Sequence, residues 1–418
     1  MTRLRLRQPS FVIIMGVLLV LQLTESSQVW MILLVGFGGM FITAYLWART
    51  LGRNIDLRRE NNLGWVQVGG QIEERFTLFN NSSIPAPWIR LTDRSTLPEF
   101  NASRSGGIDA RFFDRWTASA ICKQRGIYYL GDAIIQTGDP FGIFDVTIHA
   151  SQRTPILVLP QIAALPDLKI EPAGSFGDQR PRRNTPEQSI HASSVREYSY
   201  GDSMRLIHWP TTARTNKVFV RLLESAPEGD WWILLDLDRE CMFGAGWDGV
   251  EEQSVVLAAS LADTALRSRK SVGLISNGSE LAWLTPQKGE GQRWEIMQAL
   301  GMAKPGSLGL NTILERSQSS FGRQHSLIVI TASTNLDWLK TLLPLAHRGV
   351  APTVILLDTS ALGRESSAEN TASILRQRSI ACRVIPSGAI ELPKTQPQPY
   401  GQWRWRALPS GQIVFVQS

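Results

Sequence analysis

Two apolar runs near the amino terminus constrain this chain more than any other feature of its sequence. Phe11 to Leu23 is uncharged and apolar apart from one glutamine, and Gln28 to Ala48 forms a second uncharged run. A helix that crosses the hydrocarbon core of a bilayer needs about 20 apolar residues. The second run satisfies this requirement, whereas the first stays short even when Ser10 and Thr24 are added.

The first run alone also has the character of a signal-peptide core. However, the segment TESSQ that follows it lacks a small-x-small cleavage pattern and leads directly into the second run. We therefore predict a transmembrane helical hairpin with basic flanks in residues 1–60. Arginines lie at both ends of this hairpin and only Glu25 lies in its turn. The positive-inside rule then predicts a multi-pass cell-membrane protein with both termini and the bulk of the chain in the cytoplasm.

The three cysteines agree with a cytoplasmic location. Cys122, Cys241 and Cys382 are far apart and form no C-x-x-C pattern, which indicates reduced thiols in a reducing compartment.

The charge distribution argues against nucleic-acid binding. The net charge is +6, but seven arginines outnumber three acidic residues within the first 60 positions, so the remainder of the chain is close to neutral. Nucleic-acid-binding domains normally carry a basic footprint of their own. The segments QRPRRN and WRWRA are therefore interpreted as solvated surface rather than as a nucleic-acid site.

Beyond the hairpin, the hydrophobic pattern predicts two different architectures. Short alternating segments between Gly64 and Val158 are typical of a small β-sandwich, and a Pro-, Gly- and Arg-rich linker follows. Buried apolar strands such as Trp231 to Asp238 then alternate with helical periods such as Gly249 to Ser268, which predicts a doubly wound, mostly parallel α/β sheet. The predicted domains are the hairpin at 1–60, the β-sandwich-like module at 61–160, the linker at 161–195 and the α/β domain at 196–418.

Two longer patterns resemble a bacterial family. RGIYYLGDAIIQTGDPFGIF, from Arg125 to Phe144, is similar to one of its signatures, and REYSYGDSMRLIHWPTTAR, from Arg196 to Arg214, is similar to the other. This is the domain of unknown function 58 family. The resemblance implies paired amino-terminal membrane helices and a carboxy-terminal domain like von Willebrand factor A. It also implies association with MoxR-type AAA+ ATPases and often with transglutaminase-like membrane proteins.

The second pattern supplies the first set of candidate site residues. Gly201 and Asp202 predict a turn and a helix cap, and Trp209 is expected to anchor a short helix to the sheet. Arginine forks that bind carboxylates can fix such a loop or present it to a protein partner. Both interpretations stay open, with Arg196 and Glu197 as the more exposed docking candidates. The complete set is Arg196, Glu197, Asp202, Arg205, Trp209 and Arg214.

A degenerate metal site is the second candidate. The resemblance implies that Mg²⁺ can bind an Asp-x-Ser-x-Ser motif after the first strand of such a domain, but this chain has Asp236, Asp238 and Glu240 at those positions. The loop after HSLIVIT carries Ala332 and Ser333 where an aspartate is expected. Larger carboxylates leave less room for the waters of Mg²⁺. These changes favour carboxylates that cap a helix or pair with arginine, and a Mg²⁺ site remains the alternative.

No catalytic constellation emerges from the sequence. None of the five histidines lies in a G-x-S-x-G elbow, and His208 beside Trp209 is interpreted as a packed or surface residue. The sequence predicts a non-enzymatic, membrane-tethered adaptor that needs no cofactor and docks a protein partner. A Mg²⁺-dependent binding module and a hydrolase are the alternatives.

Overall fold

The chain divides into two compact units in the computed structural model. The first contains residues 1–161 together with 393–418, and the second contains residues 162–392. The boundary after 161 lies beside the expected one after 160, whereas the terminal segment groups with the first unit rather than with the α/β domain. The structure describes residues 2–25, 27–60, 64–165, 170–171, 192–199, 204, 207–215, 217–223, 229–322, 325–360, 368–386, 390, 403–407 and 413–417.

The first unit begins with a helical hairpin. Strand β1 (Thr2–Leu6) precedes helix α1 (Pro9–Thr24), and helix α2 (Gln28–Asn54) follows after a short turn. The Ser27 hydroxyl caps α2 by accepting a hydrogen bond from the Val29 amide. Within the described residues, only α2 is long and apolar enough to cross a membrane. Helix α1 has 16 residues and is about 24 Å long at 1.5 Å per residue, so the structure contains the predicted hairpin without establishing a second crossing.

Two β-sheets form the rest of the first unit's described core. One contains β1, β9, β8, β5 and β6 in that order, with β3 added in parallel to β9, and the other contains β2, β4 and β7. Buried apolar residues alternate with exposed ones along β4 and β5, as expected for strands of a sandwich. The strands are β2 (Ile55–Glu60), β3 (Trp65–Gln67), β4 (Gln71–Asn80), β5 (Ala86–Thr92), β6 (Arg104–Ile108), β7 (Phe112–Ile121), β8 (Gly126–Gly138) and β9 (Phe144–Leu159).

A buried ion pair braces the smaller sheet. The Arg59 guanidinium donates to both carboxylate oxygens of Glu74, at 3.0 and 2.6 Å, and also lies 5.0 Å from the centre of the Phe76 ring. Both charged side chains are almost completely buried. The bidentate hydrogen bonds therefore offset much of the free-energy cost of removing these two charges from water.

The second unit is an α/β layer structure. Its main sheet has the strand order β14-β13-β12-β15-β16-β17, parallel except for β14, which pairs antiparallel at one edge. Its elements are β10 (Ala192–Glu197), α3 (Trp209–Thr215), β11 (Phe219–Leu223), β12 (Trp231–Leu235), α4 (Val250–Arg267), β13 (Val272–Asn277), β14 (Leu281–Gln287), α5 (Glu290–Met302), α6 (Leu310–Ser317), β15 (Ser326–Thr331), α7 (Leu339–His347), β16 (Ala351–Asp358), α8 (Ala368–Gln377) and β17 (Ala381–Pro386). A separate hairpin, β18 (Trp403–Ala407) with β19 (Ile413–Gln417), belongs to the first unit.

The connections between the strands change direction at the middle of this sheet. From β12 the chain proceeds to β13 and β14 on one side, and then crosses to β15, β16 and β17 on the other. The connections therefore diverge between β12 and β15, which opens a crevice at their carboxyl ends. Helix α4 is almost wholly buried beside these strands and fixes their positions.

Candidate functional site

A cleft occupies this divergence point. It has a volume of about 650 Å³ and lies where β12 and β15 end. One wall carries Asp236, Asp238 and Glu240, which follow β12, and the opposite wall is formed by the starts of α6 and α7 with the loop after β15. Two of the three predicted carboxylates are thus near the surface of a real crevice, and the third lies at its base.

Asp236 accepts buried hydrogen bonds at the base of the cleft. Its side chain is completely buried and accepts hydrogen bonds from the Thr331 hydroxyl at 2.6 Å, the Asn277 amide at 2.8 Å and the Asp238 backbone at 3.1 Å. Asn277 also donates to the Leu308 carbonyl at 2.6 Å. Because Asp236, Asn277 and Thr331 stand at the ends of three adjacent strands, these bonds connect β12, β13 and β15.

Burial dominates the titration of this carboxyl. Loss of solvation raises the pKa of Asp236, and the hydrogen bonds from Thr331 and Asn277 lower it by a smaller amount. The negative charge of Asp238 adds a further, smaller increase.

The rim above Asp236 is shaped by local backbone contacts. The Asp238 carboxylate accepts a hydrogen bond from the Glu240 backbone at 3.2 Å and so caps the short turn that follows. Glu240 is exposed. Burial, assisted by the charge of Asp236, raises the pKa of the neighbouring Cys241 thiol to about 11, which keeps it protonated at neutral pH.

The opposite wall contains residues that sequence reasoning missed. The Asn311 side chain accepts from the Thr341 hydroxyl at 2.6 Å and donates to Glu315 at 2.8 Å, which joins the starts of α6 and α7. Asp337 pairs with Lys340 at 3.0 Å, and this hydrogen bond holds the pKa of Asp337 below its ordinary value. Nothing in the local sequence around Asn311 indicated that it meets α7.

These residues do not fit a Mg²⁺ ion well. Mg²⁺ requires about six oxygen ligands in octahedral geometry, but both carboxylate oxygens of Asp236 already accept hydrogen bonds from the protein. Among the residues that the structure describes, no three histidine, cysteine or acidic side chains are grouped closely enough to hold a metal. The geometry therefore assigns Asp236 to bracing the strands and Asp238 to capping a turn.

The predicted charged loop is only partly within the described residues. Arg196 is half-buried and Glu197 exposed at the end of β10, and Glu197 pairs with Lys217 at 2.9 Å. Arg214 lies in the last turn of α3 and is exposed. Asp202 and Arg205 lie outside the described residues.

The expected anchoring role of Trp209 is wrong. Its side chain is 68% exposed, and it is the first residue of helix α3. Polar contacts attach the segment instead: the His208 backbone donates to the Phe219 carbonyl at 2.8 Å, and the Phe219 amide donates to the Thr212 hydroxyl at 3.0 Å. The His208 ring caps the helix through the Thr211 backbone at 3.3 Å, so this histidine has a structural role.

Comparison with known proteins supports the resemblance seen in the motifs. Residues 194–360 match the model of a family described as "Protein of unknown function DUF58". An uncharacterized protein, YeaD of Bacillus subtilis, is 21% identical over 355 residues, covering 81% of this chain and 84% of that protein. The uncharacterized protein Rv1480 of Mycobacterium tuberculosis is 23% identical over 171 residues, 39% of this chain and 53% of its own length.

Two solved structures are similar over parts of the chain. The SpRpn10 VWA domain covers 38% of this chain and 89% of its own, at 16% identity and a TM-score of 0.27. The CARDB domain of the PF1109 protein from Pyrococcus furiosus covers 25% of this chain and 88% of its own, at 10% identity and a TM-score of 0.19.

Proposed function

We propose that this chain, whose residues 194–360 match the domain of unknown function 58 family, is a membrane-tethered adaptor that docks a protein partner and catalyses no reaction itself. The observation that carries this proposal is the cleft between the carboxyl ends of β12 and β15. Open α/β sheets bind their ligands at this position, and a volume of about 650 Å³ is enough for a few side chains of a partner.

The chemistry of the cleft suits binding better than catalysis. A nucleophile has to be activated by a base or by a lowered pKa, whereas the Cys241 thiol has its pKa raised to about 11. Among the residues that the structure describes, no histidine lines the cleft. Asp236, whose pKa is raised by burial, accepts hydrogen bonds that brace the strands and is completely buried.

The charged residues that line the cleft indicate what kind of partner segment would bind in it. In the described part of the chain, five carboxylates and one lysine line the cleft, namely Asp236, Asp238, Glu240, Glu315, Asp337 and Lys340. Even with Asp236 neutral and Asp337 paired with Lys340, Asp238 and Glu240 leave a negative rim. The complementary element is therefore a segment of a partner protein that carries lysine or arginine.

The family resemblance suggests the partner and the location. A MoxR-type AAA+ ATPase is the first candidate and a transglutaminase-like membrane protein the second. The hairpin of α1 and α2 would hold the adaptor at the cell membrane, with both termini and the two units in the cytoplasm as the flanking arginines predict. The Mg²⁺-dependent module is the weaker alternative, because the oxygens of Asp236 are already engaged. A hydrolase screen of the purified chain tests the remaining alternative.

Co-purification with the candidate ATPase from native membranes tests the docking site. The double substitution Asp238→Asn with Glu240→Gln removes two rim charges while it leaves Asp236 and the strands intact. Glu295→Gln, at an exposed position of α5, is the matched control. We expect the double variant to lose most of the captured partner with a folding stability within about 0.5 kcal/mol of the wild type.

A second pair of variants separates the cleft from the charged loop. If Arg196→Ala or Glu197→Ala abolishes capture while the cleft variant retains it, the partner docks on the loop and the cleft proposal is wrong. If none of these variants changes capture, docking involves neither surface.

A further inference from the structure

The turn between β8 and β9 has an unusual position in the first unit. Its residues 140–144, Pro-Phe-Gly-Ile-Phe, are all uncharged and apolar. Of the two aspartates that adjoin it, Asp139 is buried, and its carboxylate accepts hydrogen bonds from the Phe141 and Phe144 amides at 2.8 and 2.6 Å. The other, Asp145, is partly exposed and pairs with Arg7. Residues 140–144 themselves therefore carry no charge, and the nearest exposed charge is paired.

Ring contacts fix the height of this turn along the helical hairpin. Phe144 lies 5.2 Å from Phe41 and 5.7 Å from Tyr45 between ring centres. Phe11, in the first turn of α1, lies 5.5 Å from Phe37 and 6.1 Å from Phe41. The turn is thus level with the beginning of α1.

Backbone contacts hold the turn at that height. The Arg7 amide, directly before α1, donates to the Ile143 carbonyl at 2.8 Å, and Ile143 is buried in one cluster with Phe11, Ala44 and Phe144. Phe141 at the tip is nevertheless 49% exposed. A large apolar side chain is therefore presented to the surroundings by a rigidly held turn.

The same contacts show how much of α2 can face lipid. Its last turns, including Ala44, Ala48 and Gly52, are buried against the sandwich, and the Thr2 hydroxyl donates to the Gly52 carbonyl at 3.1 Å. Strand β1, in which Arg3 and Arg5 are exposed, lies beside these turns. This part of α2 consequently lies outside the hydrocarbon, even though the helix has 27 residues.

The apolar surface available to lipid is therefore short. It extends over α1, which has 16 residues, and over the facing part of α2, where Ile32, Val35 and Ile42 are exposed. A helix of that length measures about 24 Å, compared with about 30 Å for the hydrocarbon core. A hairpin of this length draws the base of the sandwich toward the membrane, because otherwise the bilayer has to thin around it.

We propose that the β8–β9 turn, with Phe141 at its tip, is embedded in the boundary between the headgroups and the acyl chains on the side where both ends of the hairpin emerge. This inference rests on the proposed membrane tether and adds a third contact to it. Amphipathic elements with Trp, Phe or Leu on their apolar face enter this boundary to a depth of about 5–10 Å. The paired Arg7 and Asp145, 3.6 Å apart and both partly exposed, then lie at headgroup level.

Depth measurements on the full chain in lipid vesicles test this proposal. Single cysteines replace Phe141, Pro140, Ile127 or Ile32 and carry an environment-sensitive nitrobenzoxadiazole dye. Ile127 is the matched control, since it is also exposed but lies at the other end of β8, opposite Leu157. Ile32, 70% exposed on α2, reports on the tether itself. Burial raises the pKa of Cys122, Cys241 and Cys382 to about 12, 11 and 11, so the native thiols react slowly at neutral pH.

We expect nitroxide-labelled lipids to quench most of the fluorescence at positions 141, 140 and 32, and to leave position 127 bright. A water-soluble quencher should give the opposite order. If position 32 is quenched by the lipids while 141 and 140 behave like 127, the turn does not enter the membrane and only this inference is wrong. If position 32 also responds to the aqueous quencher, the membrane tether itself is refuted.

Discussion

The bond network around Asp236 yields a quantitative prediction. Replacing Asp236 by alanine leaves the Asn277 amide and the Thr331 hydroxyl without their acceptor in a completely buried site. Each unsatisfied buried group costs about 1–3 kcal/mol. The Thr331 hydroxyl can rotate toward another acceptor. We therefore expect the free energy of local opening of β12, β13 and β15 to fall by about 2–4 kcal/mol in total.

Replacing Asp236 by asparagine should behave differently. The asparagine carbonyl still accepts from Asn277, and the variant avoids burying a charge. The pKa of Asp236 is raised in the folded state, so its stabilising contribution is complete below the unfolded pKa and is lost as the pH rises through the folded one. At neutral pH we therefore expect Asp236→Asn to be within about 1 kcal/mol of the wild type or more stable, because it keeps the shape and acceptor while it removes the charge. Its stability should also decline less with rising pH.

Hydrogen exchange measured by mass spectrometry on the full chain provides the assay. Peptides that cover β12, β13 and β15 should exchange between about 30-fold and about 700-fold faster in Asp236→Ala, given a tenfold change for each 1.4 kcal/mol. Asp337→Ala, at an exposed position of the same cleft, is the control and should exchange at the wild-type rate. Wild-type rates in Asp236→Ala would contradict the bracing role. Equal damage from asparagine and alanine would show that the charge itself is required, as a metal site demands.

Three further predictions concern other parts of the molecule. Saturating Mg²⁺ should raise the melting temperature of the purified chain by less than about 1 °C, because weak or absent binding gives little linkage; a large, saturable rise that Asp236→Ala abolishes would establish a metal site. Glu74→Ala should cost about 3–5 kcal/mol in thermal unfolding because it leaves Arg59 buried without its partner, and Arg58→Ala, at an exposed pair, is its control. Trp209→Ala should change the unfolding free energy by no more than about 0.5 kcal/mol because the side chain is 68% exposed; a larger loss in denaturant titration would restore its anchoring role.

Periodicity was sufficient to predict the elements that are buried on one face or on both. The apolar run of β12 and the helical spacing of α4 show which of their faces are buried, and few other segments of the chain are apolar enough to pack against those faces. The predicted strand from Trp231 extended to Asp238, three residues too far, because Leu237 is as apolar and as buried as the strand itself. Hydrophobicity thus located the strand but not its end.

Long-range polar contacts could not be predicted from local patterns. Asn277 and Thr331 stand 41 and 95 residues after Asp236 in the chain, and their meeting depends on the order of the strands in the sheet. Trp209 illustrates the opposite error, in which a large apolar side chain was assumed to pack although its helix has no buried residue. A short helix attached through backbone and hydroxyl groups leaves no signal in the apolar pattern.

The pairing of β1 with β9 has a consequence for biosynthesis. Thr2 lies opposite Ile148, and Leu6 opposite Phe144, so β1 is synthesised well before the strand with which it pairs. About 90 residues separate the end of α2 from the start of β9, and translation at about 5–20 residues per second requires roughly 5 to 20 s to add them. During that interval the small-residue face of α2 around Ala44, Ala48 and Gly52 has no protein surface to cover it. Under the proposed membrane tether, insertion of the hairpin would therefore precede assembly of the sandwich, and the completed β8–β9 segment would close over a helix that is already in place.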